Sequence, residues 1–264
     1  MITFYGMFSP NVFKVALLLE ELNLPYRTKH VSVMIGENRT PEFLQLNPIG
    51  KLPVIVDHDG PSGERQIFES GSILMYLAEN YGERFLPTRP DDPSRWSILQ
   101  WMAVQISLIG PMLGQFNHFQ SISDEKGGYA YDRYKDQAAF VYATIDEQLR
   151  KNRYIAGPKL SIADFAVYPW TAYLSRHGFD DKDFKHLVQW RSLIDKRPAT
   201  LRALATMNSF MDKDGMAHRA ATPADVDRFF NRSKPGPMPD TEAYMALGPM
   251  TTARLPTIQD GDRT

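Results

Sequence analysis

KLPVIVDHDGPSGERQIFESGSILMYLAE, residues 51–79, reads as two strands and a helix in succession. KLPVIVD (51–57) is a continuous apolar run, the pattern of a strand covered on both faces. HDGPSGE (58–64) is turn chemistry, so RQIF (65–68) is expected to return antiparallel as a hairpin. Ser70 can then cap a helix on which Leu74, Leu77, Ala78 and Tyr81 share one face.

Upstream, ITFYG (2–6) is a strand pattern that runs into a Ser9-Pro10-Asn11 turn. Val12, Val15, Ala16, Leu19 and Leu22 then recur at helical spacing, and Pro25 closes that helix. The β-leaning YRTKHVSV (26–33) follows, and PEFLQLNP (41–48) is a short helix ended by Asn47-Pro48. The order over residues 1–85 is β-α-β-α-β-β-α, an α/β unit of thioredoxin-like arrangement.

Beyond a Pro-rich linker at 86–92, strand signals vanish and helix signals dominate residues 93–211. Asp92-Pro93 supplies a cap followed by a first-turn proline, and Pro111 is expected to kink the long first helix. Tyr134, Ala138, Val141, Ile145 and Leu149 keep one face of the next. Ser161-Ile-Ala-Asp164 resembles a capping box. Residues 212–264 form a Pro-rich extension, with one short helix expected at Pro223–Asn231. The extension is expected to lie over the surface or to be partly disordered.

The balance of 30 Lys and Arg against 31 Asp and Glu gives no overall pull toward nucleic acid or acidic membranes. No basic run is interleaved with aromatics, and no stretch is expected to span a membrane. The N-terminus resembles neither a secretory signal nor a transit peptide, so a cytoplasmic enzyme is expected. The chain has no cysteine, which excludes disulfides, thiolate metal sites and a thiol nucleophile of its own. Thiol chemistry here needs a thiol brought in from outside.

Four pieces occur in order: SPN at a strand–helix junction, LNPIGKLPVIVD (46–57), FESGSILMYLAE (68–79) and SIADF (161–165). Together they resemble the cytosolic glutathione transferases, from the start of the chain to residue 210. The resemblance implies a thioredoxin-like domain followed by an all-helical one. LIGPMLGQFNHF (108–119) and YDRY (131–134) resemble the nu class, the Ure2-like group of bacterial members. That class is associated with glutathione-dependent disulfide reduction. Many of its members read Thr-Pro-Asn where this chain has Ser9-Pro10-Asn11, a swap that keeps the hydroxyl and drops a methyl.

The resemblance implies glutathione as co-substrate and a site built residue by residue. The family places a cis-proline before its third strand, so Leu52-Pro53 is expected to be cis. That bond would turn the Leu52 N–H and C=O outward, to pair with the cysteinyl backbone like an added strand. Without the family, Pro53 is an ordinary strand-start proline. The Ser70 hydroxyl and free N–H groups at a helix start suit a carboxylate, and Glu69 suits an amine. The pair matches the α-amino-acid end of the γ-glutamyl group, although Ser70 taken alone is a simple cap. Lys51 is assigned to the glycyl carboxylate; a lone loop lysine is otherwise solvated. Asn38 falls where the family often carries a glutamine, a longer amide. Arg133 resembles an arginine that the neighbouring subunit contributes in this class, against the alternative of a helix-surface arginine. No metal site is expected.

The Ser9-Pro10-Asn11 turn is assigned to the glutathione sulfur. A free thiol has a pKa of about 8.5, and lowering it by about two units takes roughly 2.7 kcal/mol. The Ser9 O–H and Asn11 N–H₂ are neutral donors at a helix N-terminus, where the dipole favours negative charge. Hydrogen bonds to a charged acceptor, about 1.5–3 kcal/mol each, have the required size. Turn and cap chemistry alone is the alternative. Tyr5 is read as packing, not as the thiol donor. His118 can line an electrophile pocket or be structural. Trp101, Met102, Met112 and Phe116 are read as core or pocket wall.

The leading reading is therefore a glutathione-dependent disulfide-bond oxidoreductase acting as a homodimer. Conjugation of carbon electrophiles, or glutathione removal from aromatic thioethers, is the close alternative. A non-catalytic binding module of the same fold is the third.

Overall fold

A computed structural model of the chain describes residues 1–121 and 124–236, the side chains of 124–127 excepted. The first unit is β1 (Ile2–Gly6), α1 (Pro10–Glu21), β2 (Tyr26–His30), α2 (Pro41–Leu46), β3 (Val54–Asp57), β4 (Arg65–Phe68) and α3 (Ser70–Tyr81). This is the expected order. The strands form one sheet in the order β2-β1-β3-β4, with β1 parallel to β2 and the other pairs antiparallel. All four residues of β3 are buried, as its unbroken apolar run requires. Its terminal Asp57 is buried because the Tyr76 hydroxyl donates to it at 2.9 Å and the Tyr81 hydroxyl donates too. β2 is an edge strand, and its exposed Arg27 and Lys29 suit an edge that must not pair further.

The helical unit contains α4 (Pro93–Val104), α5 (Gly110–Gln120), α6 (Asp124–Lys151), α7 (Ile162–Thr171), α8 (Lys185–Asp195), α9 (Pro198–Ala220) and α10 (Pro223–Phe229). α4 passes into α5 through a π turn at Gln105–Ile109. Pro111 is the cause: it has no N–H, and its ring displaces the carbonyl four residues back, so the helix widens just ahead of it. Where a kink was expected, the structure has this π turn. The continuous stretch Pro93–Gln120 is long and apolar enough to cross a membrane, which corrects the expectation that no such stretch exists. Here its Ile98, Met102, Ile109, Leu113 and Phe116 are buried in the protein's own core.

α9 crosses residue 211, where helix signals were expected to fade, and continues to Ala220. Beyond that point Asp214 is buried and tied to the first unit. α10 covers Pro223–Phe229, within the expected Pro223–Asn231. The reading of residues 237–264 lies outside the described residues.

The two units share one core. α1 packs against α3 from its own unit and against α7 and α9 from the other. The expected capping box at Ser161–Asp164 is formed, and Asp164 does more than cap. Its carboxylate accepts from Ile155 N–H and Ser161 N–H at 2.9 Å, and from Trp190 Nε1 at 2.9 Å. Burial pushes its pKa up to about 6 against the pull of those donors. Asp164→Ala orphans several buried donors and should cost about 3 kcal/mol or more. Ser161→Ala, which removes only the cap, should cost about 1 kcal/mol. Urea midpoints of the two variants check the ranking.

Candidate active site

The strand register decides which loops meet. Tyr5 pairs with Val54, and Val54 pairs with Phe68, across three adjacent strands. The end of β1, the start of β3 and the end of β4 therefore lie side by side. Residues 51–53 and 69–70 adjoin two of those ends directly, and residues 9–11 follow the third after Met7 and Phe8. Neighbouring strands are about 4.8 Å apart, so this edge spans about 10 Å.

Ser9 caps α1, and its Oγ accepts from Val12 N–H at 3.3 Å. A hydroxyl that accepts this bond still has its own O–H to donate. Asn11 is held differently. The Trp170 indole N–H, from α7, donates to Asn11 Oδ1 at 3.3 Å. An indole N–H is donor only, so this contact fixes which end of the carboxamide is oxygen. The Asn11 N–H₂ is left to donate elsewhere. Close packing keeps the junction tight: a Cβ on Gly6 would lie 2.7 Å from Val12 Cγ1 and 2.8 Å from a Phe210 ring carbon.

The loop before Ser9 is anchored from the far end of the described chain. Phe8 N–H donates to Asp214 Oδ2 at 2.6 Å, and Asp214 Oδ1 meets His30 Nε2 at 2.8 Å. One carboxylate of α9 thus ties together the loop before Ser9 and the end of β2.

The Leu52-Pro53 bond is cis, as expected. Lys51 is exposed, Leu52 is half-buried and Pro53 is buried. Two carboxamides brace this loop from below: Asn47 Nδ2 donates to Lys51 O at 2.8 Å, and Asn38 Nδ2 to Gly50 O at 2.7 Å. Asn38 is only 5% exposed, so its side chain supports the loop instead of facing solvent. Gly50 supplies the positive φ of 66° that the turn requires.

Glu69 and Ser70 differ in one respect from the sequence reading. Glu69, not Ser70, holds the cap position of α3, with φ 68° and no side-chain cap bond. That backbone turn puts Ser70 first in the helix and buries it, while Glu69 stays exposed. A non-glycine residue at positive φ carries strain of about 1 kcal/mol or more, a feature that collects at ligand clamps. The freed Ser70 Oγ accepts from the Lys14 ammonium at 3.3 Å.

Other expected residues fall elsewhere. Arg133 is exposed on α6, which packs chiefly on α5 and α8. A single chain therefore does not join it to the sheet edge. Tyr5 is a packing residue, edge-on to Phe43 at 6.3 Å. His118 lies against Phe230 at 4.7 Å, and burial lowers its pKa, with Arg232 adding to the effect. Met102 and Phe116 are core; Trp101 and Met112 are half-buried against it. A basic groove of about 400 Å³ between Arg39 and the 224–235 segment contains none of the assigned residues.

Residues 1–79 match the family described as Glutathione S-transferase, N-terminal domain, and residues 102–198 match its C-terminal domain. The chain belongs to the glutathione S-transferase family. Within that family it is 37% identical over 206 residues to the disulfide-bond oxidoreductase YfcG of Escherichia coli, covering 77% of this chain and 94% of that one. It is 30% identical over 245 residues to the transcriptional regulator URE2 of Saccharomyces cerevisiae, covering 76% and 67%. The glutathione transferase URE2P6 of Phanerochaete chrysosporium, solved in complex with oxidized glutathione, superposes with a TM-score of 0.73 at 28% identity, over 79% and 97%. The family is thus the cytosolic superfamily, in its Ure2-like group.

Asp214→Ala would leave the buried Phe8 N–H without its acceptor, at a cost of about 2–3 kcal/mol. Amide exchange at Phe8 and Ser9 should speed up more than at Ile55 in β3, as read by hydrogen exchange.

Proposed function

We propose that this glutathione S-transferase is a glutathione-dependent disulfide reductase of the nu class. Its nucleophile is the thiolate of bound glutathione. The observation that carries the reading is the pair of donors at the start of α1, in a chain without cysteine. Ser9 O–H and Asn11 Nδ2 both remain available beside a helix N-terminus, where anions are favoured. The site edge of about 10 Å suits a tripeptide, whose residues each reach about 3.3 Å when extended. Leu52 backbone then pairs with the cysteinyl unit, Glu69 and Ser70 hold the γ-glutamyl end, and Lys51 takes the glycyl carboxylate. Asn38 serves that contact from beneath, through Gly50.

The bound thiolate attacks one sulfur of a substrate disulfide and expels the other as a thiolate. A second glutathione thiolate attacks the resulting mixed disulfide, releasing glutathione disulfide and the second substrate thiol. The protein contributes position and thiolate stabilisation. Similarity to YfcG and to a neighbour solved with oxidized glutathione supports this reading.

A homodimer completes the proposal. Exposed Ile106 on the π turn, and exposed Tyr129 and Phe140 on α6, are large apolar side chains of the kind a second copy covers. Arg133 lies one helical turn from Tyr129 and would enter the partner's site from there. A cytoplasmic location belongs to the same proposal.

The test is reduction of a small symmetrical disulfide by glutathione, coupled through glutathione reductase to NADPH loss. Wild type should exceed the uncatalysed rate, and Asn11→Ala should fall by about 10- to 100-fold, the value of one charge-assisted hydrogen bond. A wild-type rate at background would move the reading to thioether or carbon-electrophile chemistry. Tight glutathione binding with no turnover on any of these would indicate a binding module, as the similarity to a transcriptional regulator allows.

A further inference from the structure

Lys14 sits one turn after Asn11, in the middle of the apolar run VFKVALLL, and is 2% exposed. Its ammonium donates to Gln105 Oε1 at 2.7 Å and to Ser70 Oγ at 3.3 Å. Gln105 is 1% exposed and opens the π turn of the helical unit. The interior makes room for it: a Cβ on Gly110 would lie 3.0 Å from Gln105 Nε2. Three buried polar side chains, Lys14 of α1, Ser70 of α3 and Gln105 of the π turn, therefore meet at the start of α3.

This arrangement is costly unless something offsets it. A buried ammonium needs a compensating charge, and neither of these two partners is charged. Burial lowers the Lys14 pKa to about 7, and the carboxylate of Glu69 acts on it only through space. The site therefore holds a titratable amine one hydroxyl away from the α3 N-terminus, with no anion bonded to it, and a carboxylate bound at that terminus would favour its charged form. In its charged form Lys14 has donors only, so Ser70 Oγ then spends a lone pair on it. That leaves the Ser70 O–H free to turn away from Lys14, toward whatever binds at the helix start.

We propose that Lys14 is a positioning residue for the α-carboxylate of the γ-glutamyl group. It orients the Ser70 hydroxyl as a donor to that carboxylate and places a buried positive charge behind it. Gln105 holds the ammonium in place, so the helical unit takes part in γ-glutamyl recognition without touching the ligand. The π turn ahead of Pro111 aims Gln105 at Lys14. The inference rests on the glutathione reading of the site.

The experiment is calorimetric binding of two ligands to the full chain. One is glutathione; the other is γ-aminobutyryl-cysteinylglycine, which keeps the amine and thiol but lacks the α-carboxylate. Wild type should bind glutathione at least 10-fold more tightly than the analogue. Lys14→Met should weaken glutathione about 10-fold and the analogue less than 2-fold. Ser70→Ala should show the same selectivity, and the double variant should be no weaker than the worse single one. Where Lys14→Met does not fold, Lys14→Gln is read instead. It keeps an N–H for Ser70 but no charge, and should weaken glutathione selectively by about 3- to 10-fold. Equal weakening of both ligands, additive losses, or an unchanged glutathione affinity would overturn the Lys14 role while leaving the glutathione site standing. Failure of wild type to bind either ligand would overturn both readings.

Discussion

The register Tyr5–Val54–Phe68 is the constraint on which the site depends. Side chains alternate faces along a strand, and β3 is buried on both, so a one-residue slip would send Val54 and Ile55 to the wrong sides of the sheet and pull Asp57 away from the Tyr76 and Tyr81 hydroxyls. The same slip would move the cis Leu52-Pro53 bond out of line with Ser9 and Glu69. Core burial and site alignment are therefore one requirement. Val54, Ile55 and Val56 through burial, and Asp57 through the two tyrosine hydroxyls, hold the register from which the site takes its geometry.

The second unit is more than a cover. Trp170 of α7 sets the direction of the Asn11 carboxamide, Asp214 of α9 holds the loop before Ser9, and Gln105 of the π turn holds Lys14. Each reaches into the thioredoxin-like unit across the shared core packed around α1. A thiol-stabilising site needs donors whose directions are fixed before the charge develops. In the proposed site that fixation comes from helices more than 90 residues away in sequence.

Much of this was legible in the chain itself, and the exceptions have physical causes. The hairpin at 51–68 and the helix after it follow from a continuous apolar run, turn residues and helical spacing. Ser9-Pro10-Asn11 and Leu52-Pro53 are local signals, and the structure places them side by side. Ser70 looked like a cap because its type favours caps; the positive φ at Glu69, which sequence does not encode simply, moved it into the helix. Trp170 and Asp214 act over long sequence separations and leave no local trace. Lys14 did leave one: a single cation inside VFKVALLL interrupts an apolar run. Its position was legible, but its partners were not. Asp214 also accounts for α9 running past residue 211, since its bonds to Phe8 and His30 hold that stretch against the first unit.

The central claim is that a protein without cysteine activates a borrowed thiol with a hydroxyl, a carboxamide and a helix N-terminus. The most direct measurement is thiolate absorbance of glutathione bound at saturation, followed against pH. The account predicts ionisation well below the free thiol's pKa of about 8.5. A bound thiol that titrates like free glutathione would contradict it.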